Sequence, residues 1–504
     1  MVMQKALLIY PEYPVTFWSF KYALKFIHRK AAFPPLGLLT VASMLPSDWE
    51  LKLVDLNIKP LTDEQIGWAD YVLISAMNIQ RESTTLVIER CKKLEKKIIA
   101  GGPLFTSESS EFDQVDYLVL NEAELTLPRF LADLENGSPN HIYMTTEFAD
   151  LTVTPVPKWS LINMSKYATM NLQYSRGCPY DCEFCDITLL YGRKVRTKNS
   201  DQLVHELEAL HEAGWRNEIF FVDDNFIGNK TKLKNEILPS ITRWQSHFKL
   251  PHTFNTQVSI EIADDPDLMH LMTDAGFDQV FIGIESPNEG SLKECNKVKN
   301  VNRDMLSSIA TKQRAGLEVA GGFIVGFDND PSSIFNTQER FIQRSGIVTA
   351  MVGLLTALPD TKLFHRLNRE NRILKHSSGD NMDFTMNFIP KMTSEELIRG
   401  YQKLLMTIYS PKTYYERVKT FLKQYRQVKR RQKPLSFFYL LAFIKSIIYI
   451  GLWSKSRVQY WKLFFWTLFN RPRLFKNSIT FSIFGFHFRK TLNLNLRRLG
   501  SVQV

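Results

Sequence analysis

Three thiols crowd into eight residues of this 504-residue chain. In Tyr174-Ser-Arg-Gly-Cys178-Pro-Tyr-Asp-Cys182-Glu-Phe-Cys185 they stand at C-x-x-x-C-x-x-C spacing. Thiolates are soft donors, and three of them on one short loop can hold three irons of a cubane while the fourth iron stays open to another ligand. An iron open to exchange is a place for chemistry. The alternatives at this point are a zinc site completed by Cys295 and a chance clustering, although structural zinc usually takes paired short spacings. The two other cysteines are Cys91 and Cys295. Five in so long a chain make a poor disulfide framework and a plausible metal site in a reducing compartment. Cys91 falls in a helical pattern and reads as packing. Cys295 reads as a free thiol near the proposed rim.

Such a loop needs a scaffold. Residues 1–145 alternate apolar runs (6–10, 51–55, 71–75, 97–100, 117–120) with amphipathic stretches (36–45, 83–94), an order that predicts a doubly wound parallel sheet. Ligands of such sheets lie at the carboxyl ends of the strands, and Gly101-Gly102-Pro103 after the fourth strand suits a sharp backbone turn there. Residues 146–168 read as a connector. From 171 the alternation restarts, with strands at 171–174, 218–222, 253–258, 279–283, 320–325 and 351–355 and helices at 201–212, 266–275, 303–316 and 333–345. Six βα units over 169–385 predict a partial or full parallel barrel with its chemistry at the carboxyl-terminal rim. A helix at 393–409 leads into a mostly helical extension, 386–504.

Composition bounds the rest. Apolar residues at 44% and charged residues at 23% exclude a disordered, collagen-like or polytopic membrane chain, and the length suggests about three domains. The opening MVMQKALLIYPEYP has an apolar run too short for a signal-peptide core, so cytoplasmic synthesis is expected. The net charge of +11 is uneven: residues 411–504 hold 20 Lys+Arg and the single acid Glu416, whereas residues 1–410 are net acidic.

The cysteine motif, with Phe184 before its last thiol, resembles the radical S-adenosylmethionine (SAM) superfamily over about residues 168–360. The resemblance implies that Cys178, Cys182 and Cys185 bind a [4Fe-4S] cluster whose open iron SAM chelates. One electron, from a donor such as flavodoxin or ferredoxin, then cleaves SAM to methionine and a 5′-deoxyadenosyl radical that takes hydrogen from the substrate. Asp223 and Asp224, ending the second strand, lie where the family has a polar or acidic motif near the SAM amino group; helix capping is the alternative. Glu285 in a G-x-E-S run, Gln257, Ser259 and Gly322 are further SAM-side candidates. No catalytic acid or base is identified.

A doubly wound domain before such a barrel resembles the cobalamin-binding radical SAM class. The carrying residues are Phe33-Pro34-Pro35-Leu36-Gly37-Leu38, Val54-Asp55-Leu56-Asn57, Ser75-Ala-Met77, Gly101-Gly102-Pro103 and Asn121-Glu122-Ala123-Glu124. The usual cobalt-ligating D-x-H-x-x-G reads here as Asp55-x-Asn57-x-x-Pro60, so a bound cobalamin would have no protein histidine below it. The chain further resembles the subfamily containing the hopanoid ring-A methylases, which share Tyr10-Pro11, Phe17-Trp18-Ser19-Phe20, the Pro35-Leu36-Gly37-Leu38 stretch and a tail like Phe484-Gly485-Phe486-His487-Phe488-Arg489. This implies methylation of an unactivated carbon of a lipid-like, hopanoid-type substrate. The competing readings are a cobalamin-containing cyclase or rearranging enzyme, and a non-catalytic iron–sulfur or nucleic-acid-binding protein.

The basic tail holds 21 of the 62 aromatic residues. A span over 435–453 would place Lys445 at its centre, at about 2.5–3.5 kcal/mol, with basic residues on both flanks (Arg430, Arg431, Lys433; Lys455, Arg457). An interfacial segment on the inner face of the membrane is therefore expected. A helical cap packed on the barrel and a nucleic-acid surface are the alternatives, and no nucleic acid is expected as partner.

Overall fold

The computed structural model describes residues 3–249, 252–375, 377–380, 382, 384–428 and 437–502. Its first sheet contains β1 (Lys5–Tyr10), β2 (Glu50–Asp55), β3 (Tyr71–Ser75), β4 (Lys97–Gly101), β5 (Tyr117–Val119) and β6 (Ile142–Tyr143). All are parallel, in the order β2-β1-β3-β4-β5-β6. Separate apolar layers cover its two faces, one around Ile9, Ile74 and Phe105, the other around Leu8, Leu73 and Phe130. Burial on both faces explains why these strands read as continuous apolar runs. The order reverses between β1 and β3, which makes their carboxyl ends the crevice of the sheet.

The second sheet begins at β7 (Met170–Leu172). A two-stranded ribbon, β8 (Ser175–Arg176) and β9 (Arg196–Thr197), brackets the cysteine loop. Then come β10 (Ile219–Phe221), β11 (Phe254–Gln257), β12 (Phe277–Glu285), β13 (Glu318–Val325) and β14 (Ala350–Leu354). The order β14-β13-β12-β11-β10-β7 is sequential and parallel, and β7 and β14 are its free edges. The expected partial barrel is thus an open half-barrel of six strands, with helices such as Ser200–Glu212, Pro266–Ala275 and Ile334–Ser345 between them. The sequence reading missed β6 and the ribbon, which are too short to carry a pattern.

The open side of the half-barrel is closed by residues distant in sequence. Between β1 and the helix Leu36–Met44 the chain crosses the lumen: Trp18 meets Phe281 of β12 with ring centroids 5.2 Å apart, Phe33 meets Phe220 of β10 at 5.4 Å, and Asn171 Nδ2 donates to Pro34 O. Behind this crossing pack the C-terminal helices Ser394–Ile408, Pro411–Gln424, Phe437–Ser446, Arg457–Asn470 and Phe475–Val502. Phe17 lies against Tyr409 and Phe488, and Phe26 against Tyr449 and Phe486. Tail, crossing segment and barrel share one apolar core.

The tail is therefore a helical cap on the barrel. Lys445, expected at a lipid interface, donates to Lys25 O at 2.8 Å. No helix among the described residues is long and apolar enough to cross a membrane. Leu435, with Arg430, Arg431 and Lys433, lies outside the described residues.

His487, without a role in the sequence, is fully buried, and its Nε2 donates to Phe17 O at 2.9 Å. Burial pulls its imidazole down to about 4, against about 6.5 in an unfolded chain. The unfolded state therefore binds the extra proton first, and stability that is full above pH 6.5 is lost as pH falls towards 4. In His487→Gln, which keeps a donor to Phe17 O, this loss should vanish. The stability gap between the native chain and the variant should shrink by about 2 kcal/mol from pH 7 to pH 5 in denaturant titrations. A gap independent of pH would show that His487 does not titrate on unfolding.

Candidate active site

The cysteine loop leaves the sheet after a strand of only three residues, so side chains must hold it. Asp223 does the first part. Its fully buried carboxylate accepts from Tyr174 N at 3.1 Å, from Ser175 N and from Ser175 Oγ at 2.5 Å, and burial pushes it up to about 7. Asp224 is half-buried, accepts from Gly177 N at 3.3 Å, and is pushed up to about 6 by burial. Gly177 has φ +93°, and a Cβ there would lie 2.7 Å from Lys194 O, so the turn into Cys178 requires glycine. Cys178 N then donates to Gly192 O.

The far end of the loop is tied to the rim. Glu183 N donates to Cys295 O at 3.0 Å, Asn296 Nδ2 to Asp181 O at 2.9 Å, and Leu363 N to Glu183 O at 2.9 Å. Arg366 grips Glu183 with two bonds of 2.7 and 3.0 Å, and Lys362 pairs with Asp181. Phe184 packs towards Phe327 in the apolar cluster that contains buried Cys295. The three cysteines are half-buried, and burial pushes each thiol up. Among the described residues, no three Cys, His, Asp or Glu side chains converge on a single ion.

Below this loop lies the lumen. Val280, Ile282 and Ile284 of β12 are fully buried towards the helices, so the alternate residues Phe281, Gly283 and Glu285 face inward. Glu285, at φ +62°, accepts from Lys297 Nζ at 2.8 Å. Lys297 is held protonated by Glu285, against the pull of burial. A Cβ on Gly283 would lie 2.9 Å from Lys297 Nζ. Across the β12–β13 ladder Gly322 pairs with Gly283, and the Phe281 ring occupies the space a Gly322 side chain would need. Gln257 ends β11 half-buried, and Ser259 N donates to Asn225 Oδ1. Trp18 is 44% exposed although its ring rests on Phe281.

In the first sheet, Asp55 and Asn57 form a brace. Asn57 Nδ2 donates to Asp55 Oδ1 at 2.8 Å and to Pro11 O at 3.2 Å, and its Oδ1 accepts from Tyr13 N at 3.0 Å. Tyr167 OH reaches the other oxygen of Asp55 at 2.9 Å. Both the nitrogen and the oxygen of the Asn57 side chain are engaged in fixing the turn after β1. Gly102, at φ +90°, lies so close to Ser75 that a Cβ would be 2.6 Å from its Oγ. The carboxyl ends of β3 and β4 are closely packed beside the β1/β3 switch point, the edge at which ligands of such sheets lie. The residues thus fit a corrinoid held without a protein ligand from Asn57, and the three-thiol donor set fits an iron–sulfur cluster.

Glu122 and Glu124, at the carboxyl end of β5, are ion-paired with Arg176 and Arg196 of the ribbon. These arginines and Lys297 escaped the sequence reading. Single basic residues carry no periodic signal, and only the position of Arg176 two residues before Cys178 hinted at a role.

Residues 26–131 match the B12 binding domain, 172–340 the radical SAM superfamily, and 361–499 a domain of unknown function, DUF4070. An uncharacterised methyltransferase of Synechocystis sp. is 40% identical over 501 residues, covering 98% of this chain and 93% of that protein. The hopanoid C-2 methylase of Rhodopseudomonas palustris is 32% identical over 419 residues, 82% of this chain and 78% of that one. In fold, the radical SAM methyltransferase TsrM of Kitasatospora setae, solved with cobalamin and a [4Fe-4S] cluster bound, superposes with a TM-score of 0.60 at 14% identity, over 92% of this chain and 99% of that chain. With two domain matches in the order β-sheet, half-barrel and near-full-length relatives at this identity, the chain belongs to the cobalamin-binding radical SAM methyltransferase family.

Proposed function

We propose that this enzyme methylates an unactivated carbon of an apolar, lipid-like substrate, of which a hopanoid is the leading case. The supporting observation is the lumen itself: beneath a polar rim of Asp224, Glu285 and Lys297 it presents Trp18, Phe281, Phe220 and Phe33, with Trp18 44% exposed. A large aromatic left open in an interior wall supports an apolar partner there. The working units are the corrinoid-binding sheet (1–145), the connector (146–168), the barrel (169–385) and the capping extension (386–504).

The family's cofactors are a [4Fe-4S] cluster, SAM and cobalamin. Together they supply one-electron chemistry and a transferable methyl group when bound. Cys178, Cys182 and Cys185 would hold the cluster, with an electron donor such as flavodoxin or ferredoxin. Phe184, Asp224, Gln257, Ser259, Glu285 and Gly322 would surround SAM. Asp223 positions Ser175 and the loop without touching it. Ser75, Gly101 and Gly102 would seat the corrinoid, with Asp55 and Asn57 bracing the turn beside it. The Glu285–Lys297 pair offers a carboxylate and an ammonium at the rim, complementary to an amino acid's two charged groups. The aromatic lumen would orient the substrate and exclude water.

The extension carries exposed apolar side chains, including Phe438, Leu452, Trp453, Phe465 and Phe469, with the exposed Lys455, Arg457 and Lys462 interspersed among them in sequence. This supports a peripheral contact with an anionic membrane, where a lipid substrate would be met.

Two measurements test this reading. After anaerobic reconstitution, Cys178→Ala, Cys182→Ala and Cys185→Ala should each lose most of the iron and the absorbance near 400 nm. The native chain should bind hydroxocobalamin and form both 5′-deoxyadenosine and S-adenosylhomocysteine. 5′-Deoxyadenosine without S-adenosylhomocysteine or bound corrinoid would refute methyl transfer. In sedimentation with phosphatidylglycerol vesicles, binding should weaken at high salt and fall about tenfold or more in the double variant Trp453→Asp, Phe469→Asp. Salt-indifferent failure to sediment would end the membrane proposal.

A further inference from the structure

The first sheet and the cysteine ribbon are joined by four charges buried together. Arg176 of β8 donates through Nη1 and Nη2 to Glu124, at 3.0 and 2.8 Å, and lies 3.4 Å from Glu122. Arg196 of β9 donates through Nη1 and Nη2 to Glu122, at 2.7 and 2.8 Å. The carboxylate side chains are 2% and 4% exposed and the guanidinium side chains 13% and 12%. Burial alone would raise the Glu124 carboxyl, but Arg176 and the hydroxyl of Thr154 hold it down at about 2, so the pair stays ionised. The connector completes the cage: Ala149 N donates to Glu122 Oε2, Arg196 donates to Ala149 O, and Phe148 lies 5.1 Å from the Arg196 guanidinium.

The placement gives the cluster of charges its meaning. Both glutamates follow β5, on the carboxyl edge of the first sheet that also carries Ser75, Gly101 and Gly102. Both arginines belong to the ribbon that opens and closes the cysteine loop, and Arg176 lies two residues before Cys178. Bidentate guanidinium–carboxylate pairs fix angle as well as distance, which a lysine pair or an apolar contact would not.

We propose that Glu122 and Glu124 are positioning residues: their paired bonds to Arg176 and Arg196 latch the corrinoid-binding sheet to the cysteine loop and set the separation of the two metal centres. This rests on the reading that Cys178 holds the cluster. The latch gives the Asn121-Glu122-Ala123-Glu124 motif a task other than contact with cobalamin.

The experiment uses the full chain reconstituted with cluster and cobalamin. Pulsed EPR between the reduced cluster and cob(II)alamin reads their separation directly, without substrate. The native chain should give one narrow distance. Arg176→Lys, which keeps the charge and loses the fork, should keep its iron and corrinoid yet give a broadened or shifted distance. Its S-adenosylhomocysteine formation should fall about tenfold, while 5′-deoxyadenosine formation stays within about threefold. If Arg176→Lys does not fold, Glu124→Gln, which keeps the shape and the Thr154 bond, provides the same comparison. Arg303→Lys, on the exposed Asp264 pair, should leave both readouts unchanged. An unaltered distance with full cluster content, or a proportional fall of both products, would overturn the latch. Full iron content in Cys178→Ala would instead overturn the cluster assignment on which it rests.

Discussion

A half-barrel of six parallel strands has two free edges and an inward face that water would otherwise wet, and the rest of this molecule answers that problem. The crossing segment supplies Trp18 and Phe33 to the open side, and the five-helix extension seals the segment from behind. His487 and Phe488, near the end of the chain, hold Phe17 near its beginning, so closure of the lumen joins sequence separated by more than 450 residues. A fully closed eight-stranded barrel is filled by its own side chains, whereas this half-barrel has its open side closed by side chains from the crossing segment.

Charge is distributed to serve the same geometry. Carboxylates at the strand ends have separate tasks set by burial: Asp223 is sealed and takes three hydrogen bonds from the loop it anchors, whereas its neighbour Asp224 stays half-open on the lumen side. Basic residues of the tail, which suggested a surface partner, are partly structural. Arg417 is fully buried, donating to Gln343 Oε1 and Ile408 O between the rings of Tyr409 and Tyr414, and Lys445 donates to the crossing segment. Only part of the tail's positive charge therefore lies on its surface.

Much of the scaffold was legible because burial on both faces leaves continuous apolar runs. The expected strands at 6–10, 51–55, 71–75, 97–100 and 117–120 are all present, as are the six strands of the barrel. The cysteine loop was legible because its ligands are consecutive in sequence, and thiol spacing alone restricts what they can hold. Lys297, Arg176 and Trp18 were not legible in the same way, since each acquires its role only from a partner on another element.

The sequence by itself determined the two parallel α/β units, their order, and the three-thiol motif with the family it marks, because these depend on local periodicity and short spacing. Tertiary structure alone decided that Asp223 and Asp224 part company, that Asn57 braces a turn, that Glu122 and Glu124 reach arginines of the ribbon, and that the tail caps the barrel. Each of these depends on which side chains are brought together across tens to hundreds of residues. Burial and ion pairing act through space, and no pattern along the chain records them.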